Sequence, residues 1–140
     1  MLRNDVRKWI EYARNDIEVA IREMEYIRSP KLRPYEIILH HCHQCAEKML
    51  KAYIIYSGGT PAQKHALNTL RRTCSNYDIS FSGKRIIDHC VYLDTFWNVK
   101  YPDFTVSIDA SHATRGINSA KRIYDFVSKK IALSMLFSNN

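Results

Sequence analysis

At 140 residues, with 46% hydrophobic and 25% charged side chains, the chain has the length and composition of one globular unit, expected to span residues 1–140. No run of about 18 apolar residues occurs, and the charged start MLRNDVRKWIEYARND lacks the apolar centre of a secretory signal, so the expectation is a cytoplasmic protein with no membrane contact. A net charge of +7, from 21 Lys and Arg against 14 Asp and Glu without a polybasic tail, favours an anionic partner such as nucleotide, RNA or an acidic protein.

Asn4 or Asp5 is placed to cap a first helix, whose apolar positions Val6, Trp9, Ala13, Ile17, Ala20, Met24 and Ile27 recur at steps of three and four. It is expected to stop near RSPKLRP. A second helix is predicted from about Pro34 to Ser57, with Tyr35, Ile38, Cys42, Cys45, Met49, Ala52 and Tyr56 on one seam and SGG ending it. A third, from about Ala66 to Ser75, carries Leu67, Leu70 and Cys74. The fourth follows NYDISFSG and sets Ile86, Cys90, Leu93 and Trp97 on one stripe until NVKYPDF breaks it, because a residue before proline resists helical geometry. The fifth starts near Ser111, shows Ile117, Ala120, Tyr124, Val127 and Ile131, and is expected to fray through SMLFSNN. Strand-like alternation and internal repeats are lacking. The predicted fold is therefore all-α, an antiparallel up-and-down bundle of about five helices with the two longest as its spine, since short connections force neighbours to run in opposite directions.

Trp9, Ala13 and Asp16 on the first helix, Gln44, Glu47, Lys48, Lys51 and Ala52 on the second, His65, Leu67 and Leu70 at the third, and Tyr101 and Pro102 after the fourth fall in the order of a family pattern. Over nearly its whole length the chain resembles the HEPN domain, a helical module. Two positions depart: Cys45 stands where Ala is usual, and Lys100 stands where Arg precedes Tyr-Pro, keeping the charge but losing the planar fork that grips phosphate in a bidentate way. The resemblance implies nucleotide or nucleic-acid binding, a homodimer, and often a separate minimal nucleotidyltransferase as partner in a two-component, toxin-antitoxin-like system.

Some members of that family are metal-independent RNases with Arg followed, after four to six residues, by His, a pair in which imidazole exchanges a proton with the 2′-hydroxyl while Arg stabilises charge on phosphorus. Counting from Lys100 the spacing lands on Thr105, Val106 and Ser107, and Arg85 and His89 stand only a helical turn apart. Arg33 and His40 have the spacing but lie at the start of the second helix rather than near the fourth. The expectation is a chain with no catalytic set and no cofactor; an RNase toxin and a structural interaction module are the alternatives.

The stretch HHCHQCAEKMLKAY, residues 40 to 53, poses the metal question. Helical geometry turns Cys42 and Cys45 into the seam, groups His40, His43 and Glu47 on a second face, and His41, Gln44, Lys48 and Lys51 on a third. Zinc needs four ligands converging at about 2.0 to 2.3 Å, so surface or interface histidines beside buried thiols, with no metal, is the expected arrangement. The resemblance implies a phosphate-binding groove of Gln44, Lys48, Lys51, His65, Lys100 and Tyr101, with Lys64 beside it. The plainer roles are a solvated Glu47 to Lys51 pair and a His65 bonded to a backbone carbonyl. Asp16, between Ala13 and Ile17, is expected to need a Lys or Tyr of the second helix as donor. Apolar residues in IALSMLF and Ile10, Ile21, Ile54 and Ile55 suggest surface covered by dimerisation about a two-fold axis.

Overall fold

A computed structural model of the chain describes residues 2–27, 34–99, 101–103 and 106–138. The elements are α1 (Asn4–Glu25), α2 (Pro34–Tyr56), α3 (Leu67–Ser75), a 3-10 turn (Ile79–Ser82), α4 (Lys84–Asp94) and α5 (Ala110–Ser138). Among the described residues there is no strand, and the fold is all-α. None of these helices is long and apolar enough to cross a membrane.

The middle of the bundle is α2, which packs most extensively against α1, then α5, and also touches α3 and α4. Its seam behaves as the periodicity predicts: Ile38, Cys42, Cys45, Met49 and Ala52 are fully buried. The helix also buries Leu39, Ala46, Leu50 and Ile54, so it is surrounded rather than amphipathic. The axis of the bundle is thus α2 flanked by α1 and by α5, and α2 and α5 are the two longest helices. Gly116 permits the close approach of α5: a Cβ there would collide with the Leu39 side chain and lie 3.8 Å from Cys42 Sγ.

Helix ends follow local chemistry. Gly58, at φ +90, terminates α2 in a Schellman arrangement, with Gly59 N–H on the Ile54 carbonyl at 2.9 Å and Gly58 N–H on the Ile55 carbonyl at 3.0 Å. At the start of α5, Asp109 Oδ1 accepts from the His112 N–H at 3.1 Å while His112 Nδ1 accepts from the Asp109 N–H at 3.2 Å, a reciprocal cap. The N-terminal residue of α1 is different from expectation: Arg3 is the cap residue and its side chain makes no capping bond, donating instead to Asp5, which accepts the Val6 N–H within the first turn.

Several other expectations are corrected. The segment before α4 holds the 3-10 turn, whose Phe81 is buried against Tyr53 and edge-on to Phe126, with centroids at 4.5 and 5.0 Å. Ile54 is buried, and Ile10, Ile21 and Ile55 pack against the core, so these four do not form a surface patch. Helix α5 continues through SMLF to Ser138 rather than fraying there, and it leaves Leu133 and Leu136 exposed. Trp97 leaves the core stripe because α4 ends at Asp94. The chain then winds through successive tight turns in which Phe96 and Val99 take the inward places beside Leu39.

Candidate functional site

Two carboxylates buried against α2 organise the polar residues singled out in the sequence. Asp16, on α1, accepts from His41 Nδ1 at 2.9 Å through one oxygen and from the Lys48 ammonium through the other. Burial pushes its carboxyl up, but the hydrogen bonds and charges of His41 and Lys48 outweigh it and hold Asp16 below the usual carboxylate value of 3.8. The lysine of helix two expected as its donor is therefore Lys48, and His41 joins it.

Glu47 is the second centre. Its Oε2 accepts from Lys51 Nζ at 3.3 Å and its Oε1 from His65 Nδ1 at 3.0 Å, joining α2 to the segment leading into α3. Lys51 also lies 5.9 Å from the centroid of the Trp9 ring, a cation–π contact that covers its stem. The Glu47 to Lys51 pair, expected on a solvated face, is largely buried, with side-chain exposures of 7% and 11%. His65 bonds a carboxylate rather than a backbone carbonyl and precedes α3, which starts at Leu67.

His43 is the clearest correction. Expected at the surface, it is 3% exposed, and its Nε2 reaches Asp94 Oδ1 at 3.2 Å. Asp94 also accepts the N–H groups of Leu67 at 2.7 Å and Asn68 at 3.0 Å, so one carboxylate at the end of α4 caps α3 and satisfies a buried imidazole of α2.

The predicted residues thus line several clefts around α2. Tyr101 and Pro102 meet His40, His41, Glu36, Ile37 and Val99 at a cleft of about 510 Å³. Lys48 meets Asp5, Lys8, Trp9 and Tyr12 at one of about 390 Å³. His65 meets Gln63, Lys64, Ala66, Asp94 and Trp97 at one of about 430 Å³. Gln44 is half-buried on α2. Lys100 and Arg33 lie outside the described residues. Sequence reasoning missed Trp97, assigning it to the core; the only signal against that was the early end of α4.

Cys42 and Cys45 are buried and all four cysteines are free thiols. Burial pushes Cys42, Cys74 and Cys90 up to about 12 and raises Cys45 well above its ordinary value, which favours the protonated thiol at all four. Among the described residues no group of three or more His, Cys, Asp or Glu is placed to hold a metal ion. His89 Nδ1 lies 2.9 Å from Ser119 Oγ, and burial with the nearby Arg122 and Arg115 charges lowers the imidazole below 6.5 despite Asp88. This resembles a nucleophile and base, but Ser119 is 2% exposed, which gives a substrate no approach; the pair ties α4 to α5.

The bundle, its surrounded second helix and the polar network across α1, α2 and α3 define a helical domain with two clefts lined in part by α2 and a third between the lead-in to α3 and the end of α4. The chain belongs to the HEPN domain family, whose model matches residues 6–131. It is similar to the crystal structure of an archaeal HEPN homologue, with 25% identity, a TM-score of 0.70 and coverage of 94% of this chain and 99% of that one. A crystal structure of a Thermus thermophilus protein is similar in fold, with 22% identity, a TM-score of 0.71 and coverage of 91% and 99%. No curated protein matches the sequence.

Proposed function

We propose that this chain is a cytoplasmic, non-catalytic HEPN domain that binds nucleotide or RNA as a homodimer, beside a nucleotidyltransferase in a two-component, toxin-antitoxin-like system. The observation that carries the binding reading is the meeting, at one cleft, of Tyr101 and Pro102 with His40 and His41 of α2, in a chain of net charge +7. There Tyr101 and Pro102, which match the family pattern, meet two imidazoles some 60 positions away in sequence, and phenol and imidazole groups suit a phosphate or a base edge. The buried Asp16 that His41 meets is matched by Lys48 as well, and the α2 carboxylate lining the cleft itself is Glu36.

A second reading is a structural interaction module. It is favoured by the engagement of Lys48, Lys51 and His65 with Asp16 and Glu47, which holds α1, α2 and the α3 lead-in together with no ligand. Titration with labelled single-stranded RNA and with nucleoside triphosphates at low and high ionic strength decides between them. Binding that weakens with salt, and that drops on His41→Ala or Tyr101→Ala, is the expected result. Salt-insensitive absence of binding, with a stable protein complex instead, supports the structural module. Metal-independent cleavage of the RNA that disappears on His40→Ala or His65→Ala overturns the non-catalytic part and supports an RNase toxin.

A further inference from the structure

We infer that Trp97 and Tyr101 form a stacking ridge for single-stranded nucleic acid, with successive bases seated in the clefts on its two sides. The inference rests on the nucleic-acid reading above and deepens it by naming the form of the ligand and a contact residue outside the family pattern.

The argument begins with an exposed indole. Trp97 stands four residues after Leu93, a spacing that would bury it on a continued helix, yet it is 46% exposed. The turns after α4 give the inward places to Phe96 and Val99 and direct Trp97 outward, while Trp97 N–H bonds the Asp94 carbonyl at 3.3 Å. Tyr101, equally exposed, meets the indole edge-on with centroids 6.3 Å apart and planes at 79°. Each ring restricts the other, so the pair is ordered before any ligand arrives, which lowers the entropic cost of stacking.

The surroundings match a nucleotide. On the Trp97 side the cleft of about 430 Å³, within the usual range for a small ligand, offers the Gln63 amide for a base edge, His65, and Lys64. Lys64 is exposed and pairs with no carboxylate among the described residues, which leaves it for a phosphate. Asp94, also in the wall, does not repel an anion as a bare charge would, because it already accepts two backbone N–H groups and His43. On the Tyr101 side lie His40, His41 and Pro102, together with Glu36, which already has an interaction partner. One mononucleotide needs one cleft; two clefts flanking one ring pair suit consecutive bases of a strand, as in aromatic platforms that bind single strands with little sequence preference.

Hexa-adenylate RNA and AMP serve as probes, with the intact protein at low salt. Binding of the oligonucleotide is expected to quench tryptophan emission and to exceed that of AMP. Trp97→Ala, an exposed position whose melting temperature is checked in parallel, is expected to weaken oligonucleotide binding by about 5- to 150-fold. Trp97→Phe keeps a stacking face and is expected to retain most of the affinity while losing the quench, because the remaining Trp9 is remote from the ridge in sequence and lines a different cleft. Lys64→Ala is expected to reduce the slope of log affinity against log salt by about 0.7, the contribution of one phosphate contact. Oligonucleotide binding with unchanged emission and undiminished by Trp97→Ala overturns the ridge but leaves the binding reading standing. Equal affinity for AMP and oligonucleotide overturns the strand, and no binding of either probe overturns ridge and reading together.

Discussion

Asp16 shows how a charge survives inside a helix pair. A carboxylate among Ala13, Ile17 and Ala20 loses hydration, and only a matched set of donors makes the ionised form favourable. His41 and Lys48 supply them, and the outcome is a carboxyl below 3.8. Because the folded value is depressed, the stabilisation is fully present above pH 3.8 and is lost as pH falls through the lower folded value. Asp16→Asn removes the charge without much change in shape. It is expected to cost about 1–3 kcal/mol in urea unfolding at pH 7, and the gap from wild type is expected to narrow below pH 3.8. A gap that stays constant into acid would show that the charge is not what matters at this position. The thiols make the opposite case. Burial keeps them protonated, so native-state labelling at pH 8 is expected to occur only as fast as the protein unfolds, with a rapid phase for any one cysteine contradicting the packing of Cys42, Cys45, Cys74 and Cys90.

At the level of elements, the connections between helices are made by polar caps whose partners are distant in sequence. Asp94 at the end of α4 caps α3 and holds His43 of α2, so three helices depend on one side chain. Asp94→Ala is expected to destabilise by about 2 kcal/mol or more, since it strands two N–H groups and a buried imidazole, and hydrogen exchange at Leu67 and Asn68 is expected to accelerate beyond the global effect. Gly58→Ala, at φ +90, is expected to cost about 1 kcal/mol with no loss of contacts, read from the same denaturation curves. The helices themselves were readable from the sequence because apolar residues at steps of three and four leave few choices: Cys42, Cys45 and Met49 fall where the pattern puts them. An acid between two apolar seam positions also announces that it needs a donor, and for Asp16 the donor's helix could be named. What the pattern cannot carry is the junctions. His43 meets Asp94 across 51 positions of sequence, and no period links an imidazole on one helix to the last residue of another. Trp97 was misplaced for a related reason, because helical spacing predicts burial only as far as the helix lasts. Phe81 was missed because a single 3-10 turn is too short to leave a periodic trace.

Over the whole molecule, what remains unburied bears on assembly. Ile10, Ile21, Ile54 and Ile55 are absorbed by the core, which removes much of the apolar surplus that argued for a dimer from composition, while Ile37 of α2 stays 40% exposed. Leu133 and Leu136 remain, three residues apart on one face of α5, 49% and 62% exposed near the end of the longest helix. A second copy of the chain meeting these two leucines about a two-fold axis would cover their apolar area and pair each face with itself. The homodimer in the proposed function therefore leads to a specific expectation. Light scattering of the wild-type protein at micromolar concentration is expected to give twice the chain mass, and the double variant Leu133→Lys, Leu136→Lys is expected to give the chain mass with unchanged helicity, since like charges would then face each other across the axis. A wild-type protein that stays monomeric as concentration rises rules out the self-paired face. A dimer that survives the double substitution moves the contact elsewhere on the bundle.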